Sequence, residues 1–275
     1  AVALHGLVAR PPMGQTVRAI LPRPDAADPR LLWVDGAVLT AAALLVAPPL
    51  ASLASGLAHV PLVLDGDFAR ALLTSLAIAV VSATASCLMA MALATAARDA
   101  RLAQRRPRAA VVYDSIPALV LALPPFALTA GLFLLIRRVA DPAAAGYALL
   151  PLMNALAALP FAYRFVAPAV MLAGERYGRL ADLLGLEGAS RVAVVDWPLL
   201  RRPLAAAFAM TAALSFGDFG VIALFGGHQL RTLPYLLYER LGAYRLEEAS
   251  AVGLVLVLIA LSLAYASSRW SDAPR

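Results

Sequence analysis

The side chains that could do chemistry within the apolar part of this sequence are few, and Asp218 is the most conspicuous. It lies in the run Leu-Ser-Phe-Gly-Asp-Phe-Gly-Val-Ile, inside a long apolar segment. A carboxylate in such a segment is costly unless it pairs, takes up a proton or faces water. Ser215, Gly217 and Gly220 beside it would let another helix or a solute approach closely. These four residues are therefore a candidate pathway site that attracts a cation, and the alternative is a structural partner for an arginine or a backbone group.

The second candidate is the longest polar interval between two apolar segments, residues 172–202, here called the coupling segment. Three leucines share one helical face at i, i+3 and i+4, and charged residues occupy the other. Glu175 precedes Arg179 by four, the favourable order for a helical ion pair. Gly185 can take the left-handed conformation that ends a helix, and Pro198 marks the entry to the next apolar segment. The pattern predicts a short amphipathic helix, a glycine break and a second short helix. The leucines are Leu180, Leu183 and Leu184, and the residues opposite are Arg176, Arg179 and Asp182.

The composition indicates a membrane protein. Of 275 residues, 62% are hydrophobic and 15% are charged, whereas soluble domains contain about 25% charged residues. The net charge of +6 raises the question of nucleic acid, but the arginines sit in short loops beside apolar segments, as the positive-inside rule expects. No nucleic-acid partner is predicted. The one cysteine, Cys87, should pack as a small hydrophobe, and no Cys/His cluster suggests a metal site or a cofactor.

Six apolar segments are long enough to cross a bilayer, which takes about 20 helical residues. The third contains Pro124-Pro125, which should break it. The predicted fold is an all-α membrane domain over residues 34–270, preceded by a cytoplasmic linker or tail over 1–33 and followed by a short tail over 271–275. The predicted spans are 37–58, 71–97, 115–136, 143–165, 203–227 and 249–268.

The arginines predict the orientation of these spans. If both termini are internal, the internal segments hold 16 arginines and the external links hold 6, with Arg164 left inside its span. The excess recurs at each loop in the same direction, which favours an N-in, C-in topology with six spans.

The coupling segment also resembles a known motif. Its spacing is similar to the EAA loop of permease subunits of bacterial ABC importers, EAA-x3-G-x9-I-x-LP. The leading glutamate of the motif is replaced by Arg179, so the resemblance implies the helix-glycine-helix geometry but not the ion pair that the glutamate would make. The other motif positions fall on Leu180, Ala181, Gly185, Val195, Trp197 and Pro198.

A sharper resemblance covers about residues 160–270. The run Ser-Phe-Gly-Asp-Phe-Gly-Val-Ile-Ala-Leu-Phe-Gly, the later Arg-Thr-Leu-Pro-Tyr-Leu-Leu-Tyr and the Asp-Trp-Pro entry to the fifth span resemble the carboxy-terminal half of thiamine or thiamine pyrophosphate ABC importer permeases. Those permeases are two fused six-span halves. The resemblance implies a type I importer (MetI-like) transmembrane domain, and a chain that is one half of a longer permease or that pairs with a sister subunit.

The resemblance also implies partners and a mechanism. A periplasmic binding protein would deliver solute to the outer face, and a dimer of ATP-binding subunits would pull on the coupling segment. No Walker-type glycine-rich loop occurs in the sequence, so ATP would be hydrolysed by those subunits and the chain itself would not be an enzyme. Arg231, Tyr235 and Tyr238, in an amphipathic external loop, are a candidate contact for the binding protein. The alternative is a helix that lies at the bilayer interface with aromatic anchors.

Other functions remain open from the sequence alone. Permeases for iron, polyamines and other small solutes share parts of the Asp218 motif. An ion-coupled carrier could use Asp218 as its titrating group, although it would be the single acid within the spans. A membrane-embedded enzyme is less well supported, because the three histidines of the chain lie in loops and no catalytic constellation recurs in the spans.

Overall fold

The computed structural model describes residues 29–138, 142–225 and 230–272, and these residues form helices and connecting turns without a strand. Of the predicted linker over residues 1–33, residues 1–28 lie outside the described residues and the rest belongs to α1; of the predicted tail over 271–275, residues 273–275 lie outside them. The α-helices are α1 (Pro29–Ala54), α2 (Val60–Val63), α3 (Gly66–Leu102), α4 (Pro107–Ala122), α5 (Pro125–Ile136), α6 (Pro142–Leu183), α7 (Gly188–Arg191), α8 (Trp197–Phe216), α9 (Ile222–Phe225), α10 (Leu233–Gly242) and α11 (Leu246–Asp272).

Four described stretches are long and apolar enough to cross a membrane, and a bent pair of helices raises the number to five if it counts as one span. The bend joins α4 to α5 at 84°, at Pro124-Pro125, so the predicted break in the third span is confirmed. The described part of the chain is thus all-helical, with several helices long and apolar enough to pass through a membrane. The four stretches are Trp33–Val63, Gly66–Leu102, Ala145–Leu183 and Leu246–Trp270.

The predicted fifth span differs from the helix in its place. The prediction was an apolar helix over 203–227, but α8 ends at Phe216 and a short non-helical stretch precedes α9. Arg201 and Arg202 lie in the second turn of α8, which leaves about 21 Å of apolar helix from Pro203 to Phe216. Gly217 and Gly220 flank Asp218 in the break, where glycine favours leaving the helix.

The chain divides into two compact units, residues 1–50 and residues 51–275, and the candidate sites all lie in the second. Helices α3, α6 and α8 pack together through small side chains, among them Ala90, Ala162 and Ala207, each fully buried. Small residues let membrane helices approach closely, which strengthens their van der Waals contact. Several large apolar side chains of these helices, such as Leu73, Leu88 and Leu214, are exposed, as expected where lipid is the solvent. Cys87 is buried in this core, as predicted.

Candidate functional site

The coupling segment begins as the end of a long helix. The amphipathic part was predicted as a separate short helix, but α6 continues unbroken for 42 residues to Leu183. Gly185 then adopts a φ of +62°, and the Leu186 amide donates to the Ala181 carbonyl at 2.9 Å. The predicted glycine break is therefore confirmed, and it closes α6 with a left-handed cap.

The second arm of the segment is also continuous with a longer element. Gly188, with a φ of +53°, begins α7, and the chain passes through one π-helical turn, Val192–Asp196, directly into α8. The sequence analysis missed this second left-handed glycine, although its place between Glu187 and a helix was a visible signal. The two glycines bound a tight turn, so the coupling segment is a bend between two long helices.

The leucine face of the segment has no partner within the described chain. Leu180, Leu183 and Leu184 are 53%, 85% and 64% exposed, whereas Ala181 beside them is buried. A cavity of about 350 Å³ opens next to this face, lined by apolar side chains of both arms. An apolar patch of this kind is typical of a surface that another molecule covers. The lining includes Tyr177, Leu180, Leu184, Leu186, Val194 and Pro198.

The charged face differs in one respect from the prediction. Among the described ion pairs, none joins Glu175 to Arg179; both side chains are exposed. Asp182 instead lies 3.6 Å from Arg191, which links the two arms across the turn. Of the remaining motif residues, Trp197 and Pro198 are exposed and Val195 is half-buried.

A buried ion pair that the sequence analysis did not anticipate anchors the segment. The Asp196 carboxylate lies 3.4 Å from Nη1 of Arg98 in α3, and the two side chains are only 5% and 7% exposed. Arg98 also contacts Asp99 at 2.9 Å. Its stem crosses α6 at Gly174, where an added Cβ would lie 2.6 Å from Cδ of Arg98. Arg98 therefore ties the entry of α8 to α3 and α6 at once.

A second polar contact at the same end of the bundle ties α4 into it. Arg101, one turn after Arg98, pairs with Asp114 of α4, which accepts a hydrogen bond from the Tyr163 hydroxyl of α6. Three helices that meet the coupling segment or its neighbours are thus held by charged groups as well as by alanines. Arg101 and Asp114 are 39% and 29% exposed, so this pair should contribute less to the free energy of unfolding than the buried pair of Arg98 and Asp196.

Asp218 lies in the break after α8. Its Oδ2 accepts a hydrogen bond from the Val221 amide at 3.3 Å, which caps the short α9. The predicted neighbour Ser215 is buried and accepts a hydrogen bond from Nδ2 of Asn154 in α6 at 2.9 Å. Asn154, Ser215 and Asp218 line one cavity of about 170 Å³, here called the polar pocket. Gly217 is exposed and Gly220 half-buried, and neither lines it.

Asn154 is the functional candidate that the sequence analysis overlooked. It lies in the apolar run Leu-Met-Asn-Ala-Leu, and a lone amide in a membrane span was the signal that could have singled it out.

The residues predicted to contact the binding protein lie on and beside α10, near the start of α3 and away from the coupling segment. Arg231 pairs with Asp67 at 3.2 Å and with Glu239 at 3.4 Å, so its charge holds α10 against the start of α3. Tyr235 is half-buried, while Tyr238 is 60% exposed with its ring 5.0 Å from that of Phe219. Of the three, Tyr238 presents the most surface for a partner.

A buried arginine of α10 links this helix to the start of α3 and to α11. Arg240 is 5% exposed and pairs with Glu248 and, at 3.2 Å, with Asp65. Partial burial raises the pKa of Asp65, but the Phe68 amide and the Arg240 guanidinium outweigh it and hold that pKa below its usual value. Asp65 also caps α3 through the Phe68 amide at 2.7 Å.

The known proteins that match this chain are of the kind that its sequence resembles. No protein-family model matches the chain. The chain is 40% identical over 235 residues to the thiamine transport system permease protein of Brucella suis, a match that covers 84% of this chain and 42% of that protein. It is 36% identical over 232 residues to the permease of the same name from Escherichia coli, over 83% of this chain and 43% of that one. The permease of that name from Haemophilus influenzae is 37% identical over 196 residues, which are 69% of this chain and 35% of that protein.

The chain therefore spans about two fifths of the length of the curated relatives it matches. The predicted resemblance to thiamine permeases is confirmed, and the shared length is that expected of one half of such a permease. Together with its apolar helices, this similarity identifies a multi-pass membrane protein.

Proposed function

We propose that this chain, a homologue of thiamine transport permeases, forms one transmembrane half of an ATP-driven importer for thiamine or its phosphates in the bacterial inner membrane. The observation that carries the proposal is the 35–40% identity to thiamine permeases over most of the chain. The relatives are named as transport permeases, so the role is that of a transport subunit. ATP would be hydrolysed by a separate pair of subunits.

The coupling segment supports this role. It presents an exposed leucine face and an apolar groove on a bend between two long helices. A protein that binds the bend can move both arms together, because Asp182 and Arg191 link the two arms across the turn and Arg98 links the second arm to α3. We assign this surface to the ATP-binding subunit, with the contact made by Leu180, Leu183 and Leu184, and by Arg179 in place of the glutamate of the motif.

The topology we propose has six spans in the type I importer (MetI-like) arrangement, with both termini in the cytoplasm. Helix α8 with the segment around Asp218 and α9 serves as the fifth span, and the bent α4–α5 pair as the third. The arginine excess in the proposed internal loops supports this orientation. It places the coupling segment in the cytoplasm and α10 on the periplasmic side, where Tyr238 is available to a substrate-binding protein. A second permease half or subunit would complete the path.

Uptake tests the proposal. The chain, expressed in its natural polypeptide context with its ATP-binding and substrate-binding partners, should restore ATP-dependent uptake of labelled thiamine to cells that lack a thiamine importer. Excess unlabelled thiamine should block uptake, and ferric iron or spermidine should not. Uptake that persists without the ATP-binding subunit and follows the proton gradient would replace the proposal with an ion-coupled carrier. Competition by iron or spermidine would redirect it to another solute of the same family.

A further inference from the structure

The polar pocket is unusual for its place in the molecule. Asn154 lies twelve residues after Pro142, where α6 begins, and so about 18 Å along the helix. Ser215 lies twelve residues after Pro203, about 18 Å along the antiparallel α8. For a hydrocarbon core about 30 Å thick, both positions fall near the middle of the membrane.

The hydrogen bonds of the pocket leave acceptors without donors. Asn154 is 4% exposed, and its amide nitrogen donates to the Ser215 hydroxyl oxygen at 2.9 Å. Among the described residues, Oδ1 of Asn154 is buried and has no hydrogen-bond donor. A buried amide oxygen without a donor is costly, and no arginine of the described ion pairs reaches Asp218 either.

Apart from Asn154, Ser215 and Asp218, the lining of the pocket is apolar, and its volume is that of one ring. Ala157, Ala158, Phe161 and Leu214 complete the lining. A cavity of about 150 Å³ with apolar walls is known to hold one benzene ring, so about 170 Å³ accommodates one six-membered ring. Phe161 and Leu214 are 37% and 39% exposed, which leaves the pocket open at the surface of the chain.

From these observations we infer that Asn154, Ser215 and Asp218 form a solute-binding site at membrane depth for one ring of a cationic, amine-bearing heterocycle. Oδ1 of Asn154 accepts a hydrogen bond from an exocyclic amine. The Asp218 carboxylate attracts the positive charge, and Phe161 supplies an aromatic face that favours a cation. The inference rests on the proposed function for the identity of the solute, and it adds the residues that select it.

The test compares two solutes that differ at one group. Thiamine carries an exocyclic amine on its pyrimidine ring, and oxythiamine carries a carbonyl oxygen there. Asn154→Leu keeps the side-chain shape but removes the acceptor, and Asp218→Asn removes the charge. We expect each substitution to raise the KM for thiamine uptake about tenfold, the effect of losing one charge-assisted or buried hydrogen bond. Asn154→Leu should also remove most of the preference for thiamine over oxythiamine, whereas a purely structural defect would weaken the transport of both alike.

Thr211→Val is the matched control. Thr211 is buried like Asn154 and lies one turn before Ser215 on α8, but its hydroxyl bonds to the Ala207 carbonyl of its own helix and to Cys87 of α3, and it does not line the polar pocket. This variant should keep the KM and the solute preference of the unmodified protein. If Asn154→Leu and Asp218→Asn keep both as well, while thiamine still stimulates ATP hydrolysis, the binding site is refuted and the importer function stands. If thiamine stimulates no hydrolysis or uptake in the unmodified protein, the proposed function itself fails.

A labelling experiment covers the case in which these variants do not accumulate. Ala157→Cys places a thiol in the pocket wall without changing the polar groups, and the native Cys87 is buried. Thiamine at millimolar concentration should slow its reaction with a small maleimide several-fold, and oxythiamine should slow it less. An equal rate with and without thiamine, in protein that transports it, would overturn the inference.

Discussion

The pair formed by Arg98 and Asp196 offers the sharpest test of how the coupling segment is held. Asp196→Leu would leave the Arg98 guanidinium buried, with Asp99, whose side chain is 50% exposed, as its remaining partner among the described ion pairs. Removing one member of a buried pair costs about 3–5 kcal/mol, because the other charge stays desolvated. Since Asp99 compensates in part, we expect about 3 kcal/mol of lost unfolding free energy.

The assay is a double-mutant cycle in mixed micelles. The unfolding free energy is measured by titration with sodium dodecyl sulfate for the unmodified protein, Asp196→Leu, Arg98→Met and the double variant Arg98→Met/Asp196→Leu. Because both charges are gone from the double variant, it should lose about 1 kcal/mol or less, far less than the two single changes together. A single-variant loss below about 1 kcal/mol, or additive losses in the cycle, would refute the anchoring role of this pair.

Three further predictions follow from local geometry. Gly56→Ala places a Cβ 2.5 Å from the backbone nitrogen of Ala251, so it should cost about 2–3 kcal/mol of unfolding free energy. The control Gly131→Ala meets nothing within 4 Å and should leave the unfolding free energy unchanged. Equal losses in the two variants would contradict the close packing at Gly56. Gly185→Ala should cost about 1 kcal/mol of unfolding free energy, because a left-handed φ disfavours a Cβ. It should also lower thiamine-stimulated ATP hydrolysis more than Gly185→Asn does, and identical activities of the two variants would argue against the turn geometry. Because the pKa of Asp65 is lowered in the folded protein, Asp65 stabilises the fold above the unfolded pKa of about 4 and loses that contribution as the pH falls through the folded pKa. The melting temperature of Asp65→Asn, which keeps the helix cap, should therefore depend less on pH below 4 than that of the unmodified protein. Parallel dependences of the two melting temperatures on pH would count against the contact with Arg240.

The sequence pattern was sufficient where a local residue type decides the structure. Gly185 predicted a left-handed break and Pro124-Pro125 predicted a sharp bend, and both are present, because these residues restrict their own backbone whatever surrounds them. Apolar length was likewise enough to find the long membrane helices.

The pattern was insufficient where distant residues decide. Arg98 and Asp196 are separated by 98 positions, and each looked like an ordinary loop charge in the sequence. Asn154 gained its meaning only from contact with Ser215, 61 positions away. The end of α8 at Phe216 was also missed, since hydropathy continues across the glycines and does not register where the backbone leaves the helix.

We propose that an ATP-binding subunit binds the bend between α6 and α8 from the cytoplasmic side. The most direct measurement is the labelling of Leu183→Cys, at the most exposed leucine of the bend, by a maleimide that cannot cross membranes. We expect the maleimide to label this cysteine in inside-out vesicles but not in right-side-out vesicles. Addition of the ATP-binding subunit should protect the cysteine from labelling. Labelling from the periplasmic side, or cytoplasmic labelling that the subunit leaves unchanged, would contradict it.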